Sequence, residues 1–151
     1  MGLLEEISFH YLIGRFKRIG VAYSGGLDST VLLHLLTQKI DCKENIHAIH
    51  INHSVSPDSD KWEEFCKSNA KQLGIQVATY KLDKPINISE DNLRKIRYEK
   101  FNQWSLNNDI ILTAHHADDQ VETIFFRFLR GTGLKGLNGI PVWRKEGNIQ
   151  F

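Results

Sequence analysis

Residues 19–29 read Ile19-Gly20-Val21-Ala22-Tyr23-Ser24-Gly25-Gly26-Leu27-Asp28-Ser29. An apolar run enters Gly25-Gly26, and a helical pattern leaves at Ser29. This reads as a strand that breaks and reopens as a helix, the layout of a phosphate cradle. Glycines let the backbone bend sharply and approach oxyanions closely. Successive free N–H groups then form a nest at a helix N-terminus, where the dipole also favours negative charge. Ser24 and Ser29 add hydroxyls. Asp28 repels phosphates unless a cation lies between, so it reads as a ligand to a bridging Mg²⁺. No Gly-Lys-Ser/Thr follows, which excludes a Walker loop. An ordinary strand–turn–helix joint, with Asp28 as a helix cap, is the competing reading.

The pattern extends outward from this loop as alternating strands and helices. An amphipathic helix is expected from Leu3 to Phe16, packed on the sheet edge, then a first strand over Ile19–Tyr23. A helix follows over Leu27–Leu36, its face carrying Leu27, Val31, Leu32, Leu35 and Leu36. The second strand is Asn45–Ile51. A loop with Pro57 leads to a helix from Asp58 to Leu73, with Trp62, Phe65, Cys66, Ala70 and Leu73 as its buried side and Gly74 as C-cap. Gln76–Tyr80 is the third strand. Ser89 caps a helix running to about Leu106, with Glu90 and Asp91 in its first turn. Asp109–Thr113 is the fourth strand, and a helix over Ala117–Arg130 covers the sheet. The tail is Gly-rich, then extended around Pro141-Val142-Trp143. Strands alternating with helices imply a parallel sheet wrapped on both faces, with its ligand crevice beyond the carboxyl ends of the strands.

Bulk properties narrow the class. At 151 residues the chain is one domain with room for a core. Its 41% hydrophobic and 25% charged content is that of an ordinary globular protein. No apolar run approaches a membrane span and no signal-peptide pattern opens the chain. A net charge of +1 does not announce a nucleic-acid partner, although a local basic face remains open. The two cysteines, Cys42 and Cys66, form no Cys-x-x-Cys pair and read as reduced cytoplasmic thiols.

A second polar constellation is Thr113-Ala-His115-His116-Ala-Asp118-Asp119-Gln120-Val-Glu122-Thr123. At about 100° per residue, His115, Asp119 and Glu122 share one helical face. Val121, Ile124, Phe125 and Phe128 gather on another as a core stripe. Two carboxylates and an imidazole suit an amine substrate, a metal or a general base. A solvated, dipole-stabilised helix start is the competing reading. Zinc is disfavoured, since no further ligands stand at its spacing.

Ser24-Gly-Gly-x-Asp-Ser29 resembles the PP-loop of the ATP pyrophosphatase family, which splits ATP between its α and β phosphates. His50-Ile51-Asn52-His53, Asp60-Lys-Trp62 with Cys66, Glu90 through Arg94 to Arg97-Tyr98, residues 113–123 and Arg130-Gly131 to Pro141 together resemble the tRNA(Ile)-lysidine synthetases. The likeness runs from about Ile19 to Pro141. It implies a Rossmann-like, adenine nucleotide alpha hydrolase-like three-layer α/β/α fold. It implies an ATP-dependent ligase that adenylates the carbonyl oxygen on C-2 of the wobble cytidine in the CAU anticodon of tRNA(Ile), releases diphosphate, and lets the ε-amine of L-lysine displace AMP at C-2. In that scheme Ser24, Gly25, Gly26, Leu27, Asp28 and Ser29 hold ATP, with Mg²⁺ on Asp28. His50, Ile51 and Asn52 lie along adenosine. Asp119 and Glu122 grip lysine, His115 stands near the leaving phosphate or the amine, and Arg94 neutralises phosphate or the transition-state charge. Arg127, Arg130, Lys135, Arg144 and Lys145 are candidates for tRNA phosphates.

Residues 1–141 are thus expected to be the PP-loop catalytic domain. Residues 142–151 are expected to be the truncated start of a following segment, without the tRNA-binding domains that relatives carry. Asp91-Asn92-Leu93 departs from the Ala-rich family pattern and touches packing more than chemistry. A cytoplasmic location is expected and dimers are plausible. The rival readings are another PP-loop tRNA-modifying enzyme, such as a cysteine-dependent thiolase, and a non-catalytic ATP-binding module.

Overall fold

The computed structural model describes residues 15–83, 89–106 and 108–114, and the backbone of 145–146 and 149–150. The expected helices at Leu3–Phe16 and Ala117–Arg130, and the extended stretch around Pro141, fall largely or wholly outside these residues.

β1 (Arg18–Ala22), β2 (Ile46–Asn52), β3 (Gln76–Lys81) and β4 (Asp109–Leu112) form a parallel sheet in the order β3-β2-β1-β4. The order continues through two-residue strands, β6 (Ile149–Gln150) and then β5 (Lys145–Glu146). β6 runs parallel to β4 and antiparallel to β5. The helices are α1 (Leu27–Lys39), α2 (Ser59–Leu73) and α3 (Glu90–Trp104). β2 is buried along nearly its whole length, so it needs cover on both faces. Leu32, Leu33 and Leu36 of α1 and Cys66 and Ala70 of α2 join Val21, Tyr23, Ile46 and Ala48 in one core. On the opposite face, Phe101 and Trp104 of α3 meet Ile49 and Ile111. The result is the Rossmann-like three-layer α/β/α arrangement, with β1 central and the strand order reversing between β1 and β4.

Local signals explain the boundaries. The Ser89 hydroxyl accepts the Asn92 N–H at 3.3 Å, as an N-cap does. Gly74 adopts φ 72° and ends α2 with its N–H on the Ala70 and Lys71 carbonyls. Gly20 has a packing reason: a Cβ there would lie 2.6 Å from Ile49 Cδ1 and 3.0 Å from the Trp104 ring. The helix faces differ from expectation at four positions. Leu27 is 78% exposed, Val31 47%, Trp62 50% and Phe65 46%, whereas Leu33 is fully buried. α1 is apolar around most of its circumference, so spacing alone does not orient it. On α2 the buried line runs through Cys66 and Ala70, and Trp62 and Phe65 fall beside it.

At the end of the sheet away from the glycine loop, Arg18 ties β1, α3 and β4 together. Its guanidinium bonds the Asp109 carboxylate through Nε at 3.1 Å and through Nη2, donates to the Trp104 carbonyl at 2.8 Å, and lies 4.3 Å over the Trp104 ring. Asp109 also accepts the Leu106 N–H at 2.7 Å and is buried. The Arg18 side chain is 27% exposed, so removing the buried carboxylate strands a part-buried guanidinium and leaves the Leu106 N–H without its acceptor. Asp109→Ala should therefore lower the unfolding free energy by about 3 kcal/mol in urea titrations, more than any single exposed pair of α2.

His47 packs edge-on against Trp104 at 5.5 Å in the same region. Burial first, then the Arg18 charge, holds its proton affinity below the ordinary imidazole value. The unfolded chain then binds more protons than the native one between the lowered pKa and about 6.5. Stability should fall as pH drops from about 7 through that window, and His47→Gln should flatten this part of the curve, measured by denaturant midpoints at each pH.

Candidate nucleotide-binding site at the strand ends

The loop after β1 is anchored before it turns. Tyr23 N–H bonds the Ile49 carbonyl at 2.8 Å, extending the sheet pairing by one residue. The Tyr23 ring is buried, and its hydroxyl accepts Asn69 Nδ2 at 2.7 Å and lies 3.3 Å from Thr30 Oγ1. Gly25 then adopts φ 84°, the left-handed region that favours glycine. A Cβ there would sit 2.9 Å from Cys66 Sγ and 3.4 Å from Trp62 Cε3. Gly25 is thus required both by its dihedral and by the close floor beneath it.

Gly26 is the N-cap of α1 and supplies no side-chain cap. Its carbonyl collects the Thr30 N–H at 3.1 Å, Thr30 Oγ1 at 2.8 Å and Ser29 Oγ at 3.1 Å. Ser24 Oγ accepts the Gly26 N–H at 3.2 Å and lies 3.1 Å from Ser29 Oγ. A helix opening without a side-chain cap keeps first-turn N–H groups for a ligand, with the dipole behind them. Ser29 is buried as part of the wall, while Ser24, Gly26, Leu27 and Asp28 are exposed at the mouth. The cap is Gly26, so Asp28 is a first-turn acid rather than the capping residue.

A scan against family descriptions matches residues 5–151 to the PP-loop domain. The chain belongs to the PP-loop family. Among curated proteins it is 40% identical over 152 residues to the tRNA(Ile)-lysidine synthase of Alkalilimnicola ehrlichii, covering 95% of this chain and 33% of that protein. It is 41% identical over 143 residues to the enzyme of the same name from Buchnera aphidicola, covering 93% and 32%. The chain thus spans about a third of the length of these relatives. Among solved structures, the U34-tRNA thiolase NcsA from Methanococcus maripaludis with its [4Fe-4S] cluster matches at TM-score 0.65 and 15% identity, covering 87% of this chain and 49% of that one. The NH3-dependent NAD synthetase from Campylobacter jejuni matches at 0.58 and 16%, covering 81% and 56%. At these identities the two structures speak for the fold alone.

Around the PP-loop, β2 brings two histidines and an asparagine to the strand end. His50 Nδ1 lies 2.9 Å from the Tyr23 carbonyl. A carbonyl only accepts, so Nδ1 donates its proton there. Nε2 is buried without a hydrogen-bond partner among the described residues. Asn52 has a structural task. Its amide donates to Asp60 Oδ1 at 2.9 Å and Glu63 Oε2 at 2.8 Å, and its Oδ1 accepts the Ser54 N–H at 2.9 Å. Lys81 and then Asn52 hold the Asp60 carboxyl below its usual range; Lys67 and then Asn52 do the same for Glu63. His53 is depressed by burial, then by the Arg97 and His50 charges.

Arg94 is exposed, its guanidinium 5.6 Å over the Tyr98 ring. β4 pairs Leu112 with Val21, so the chain reaches Thr113 beside the residues that lead into the PP-loop. His115, Asp119 and Glu122 lie outside the described residues, as do Arg127, Arg130, Lys135 and Arg144. Among the described residues no group of His, Cys, Asp and Glu has the arrangement of a protein-held metal site. Mg²⁺ coordinated mainly by phosphate oxygens fits a single exposed carboxylate such as Asp28.

Sequence reading missed Asn69 and Thr30 as props of Tyr23. A polar Asn69 one turn from Cys66 on the core side of α2 was the available signal. Gly25→Ala should lower stability by about 2 kcal/mol, combining left-handed strain with the clash against Cys66. Adding Cys66→Ala should recover only the clash component, and thermal unfolding of the single and double variants measures the split.

Proposed function

We propose that this chain is the ATP-cleaving ligase domain of a tRNA(Ile)-lysidine synthase. The observation that carries the proposal is an uncapped α1 N-terminus behind a left-handed glycine, with Asp28 in its first turn, in a chain 40% identical to synthases of that name. The reaction has two transfers. The C-2 carbonyl oxygen of the wobble cytidine in a CAU anticodon attacks the α-phosphorus of ATP, and the Pα–O bond to diphosphate breaks. The ε-amine of L-lysine then attacks C-2, the C–O bond to AMP breaks, and the amine gives up its proton.

The PP-loop N–H groups and the Ser24 hydroxyl face the charge that builds on the leaving diphosphate. Asp28 would hold Mg²⁺, which would supply charge neutralisation to the phosphates. His50 and Ile51 flank adenosine, while Asn52 keeps the strand end in shape through Asp60 and Glu63. Arg94 offers positive charge to phosphate. Asp119 and Glu122 take the lysine amines, and His115 stands near the amine or the leaving phosphate. These three follow Thr113, which β4 delivers beside the loop. No described helix is long and apolar enough to cross a membrane, and a cytoplasmic location accords with a tRNA substrate. The 40% identity to lysidine synthases, against 15% to the thiolase, favours ligation over thiolation.

The test uses the full-length protein with ATP, Mg²⁺, lysine and cognate tRNA. Diphosphate release should require tRNA, repeated turnover should require lysine as well, and mass spectrometry should find lysine joined to the anticodon cytidine. Asp28→Ala should reduce release at least about 100-fold with the fold intact. Release that ignores tRNA would overturn the reading, and full activity in the variant would overturn the metal role of Asp28.

A further inference from the structure

Three of the apolar side chains expected in the core but found exposed, Leu27, Trp62 and Phe65, come together with Gly25, Thr30, Asp58 and Lys61 to line a cleft of about 730 Å³. That volume lies within the range of small-molecule sites, about 300–1,000 Å³. It suits a group of nucleoside size better than a broad protein interface. The cleft is continuous with the PP-loop, since Gly25 and Leu27 belong to both.

Its chemistry is aromatic and close to neutral. The Trp62 and Phe65 rings meet edge to face, 5.9 Å between centroids and 86° between planes. Trp62 keeps half its surface in solvent. The Lys61 ammonium at the rim is paired with Asp58 at 2.7 Å. A neutral ion pair beside an exposed indole is a poor phosphate site and a good platform for a flat base. A base that is to react through its own carbonyl must leave its stack, and an aromatic side chain compensates for the lost stacking.

We propose that Trp62, with Phe65 at its edge, is the stacking platform for an unpaired anticodon-loop base of the RNA substrate, next to the phosphate loop. This rests on the lysidine-synthase reading. It adds to that reading a residue that positions the RNA and takes no part in ATP cleavage.

The experiment uses full-length protein and a stem–loop RNA with a CAU loop, 5-iodinated singly at its cytidine or uridine. Irradiation should place an adduct on the tryptic peptide Trp62–Lys67, which Lys61 and Lys67 delimit. Trp62→Ala should weaken stem–loop binding about tenfold, the scale of one stacked base. Trp62→Phe should stay within about threefold of the parent, and a fully paired RNA duplex should bind all three proteins alike. ATP affinity, measured separately, should fall less than stem–loop affinity in Trp62→Ala; an equal loss of both, the mark of a disturbed PP-loop, overturns the proposal. An adduct confined to other peptides, or stem–loop affinity unchanged in Trp62→Ala, overturns the proposal. So does labelling of the same peptide by 8-azido-ATP, which would make the cleft the adenine pocket. Loss of a concentration-dependent dimer in Trp62→Ala, with RNA binding intact, overturns it in favour of a second copy. If the adduct forms but diphosphate release proves independent of tRNA, the ligase reading fails and the platform stands.

Discussion

A single backbone residue, Gly25, turns the chain from the central strand of the sheet into the helix that covers it. Its φ of 84° is strained for any residue with a side chain, and Cys66 and Trp62 lie where a side chain would go. Everything at the strand ends is arranged around that turn. Tyr23 is fastened on the strand side by the Ile49 carbonyl and by His50, and through its ring hydroxyl by α2. Gly26 is fastened on the helix side by Thr30 and Ser29. With both ends held, first-turn N–H groups of α1 point in a direction the fold has already set. In the proposed reaction, phosphate binding would then need little further ordering of the loop.

α2 has two tasks that divide along its length. Its core line, Cys66 and Ala70, floors the PP-loop and closes one face of the sheet. Its first turns carry Asp60 and Glu63, which receive the Asn52 amide and draw in Lys81 and Lys67. The outer pairs are exposed and individually weak. Their joint effect is geometric, because Asn52 is the last residue of β2 and Ser54 follows in a left-handed conformation at φ 54°. The network fixes where β2 stops, one strand away from the loop.

Residues 24–29 carried most of what could be read from sequence, since two glycines between an apolar run and a helical pattern leave few conformations open. Caps were legible for the same reason: Ser89 and Gly74 are residue types with a strong positional preference, and both serve as expected. Facing was less legible. Leu27 and Val31 stand at proper helical spacing, yet α1 has apolar residues on several sides, and the side that meets the sheet is chosen by Leu32, Leu33 and Leu36 packing against β1 and β2. The left-handed Ser54 and Asn108 carried no glycine to announce them. β5 and β6 are two residues each, too short to show a period. Within the site, Asn52 is a polar residue at the right place whose hydrogen bonds turn inward, a distinction that pairing partners decide and spacing does not.

The floor of the loop also sets how the chain meets electrophiles. Burial, with Glu63 nearby, pushes the Cys66 thiol up to about 11, so it is a poor source of thiolate at neutral pH. Cys42, by contrast, is exposed on the turn before β2. Alkylating reagents and mild oxidants will therefore be drawn to Cys42, and the chain carries a natural single attachment point for a fluorophore or spin label with the sulfur under Gly25 left untouched.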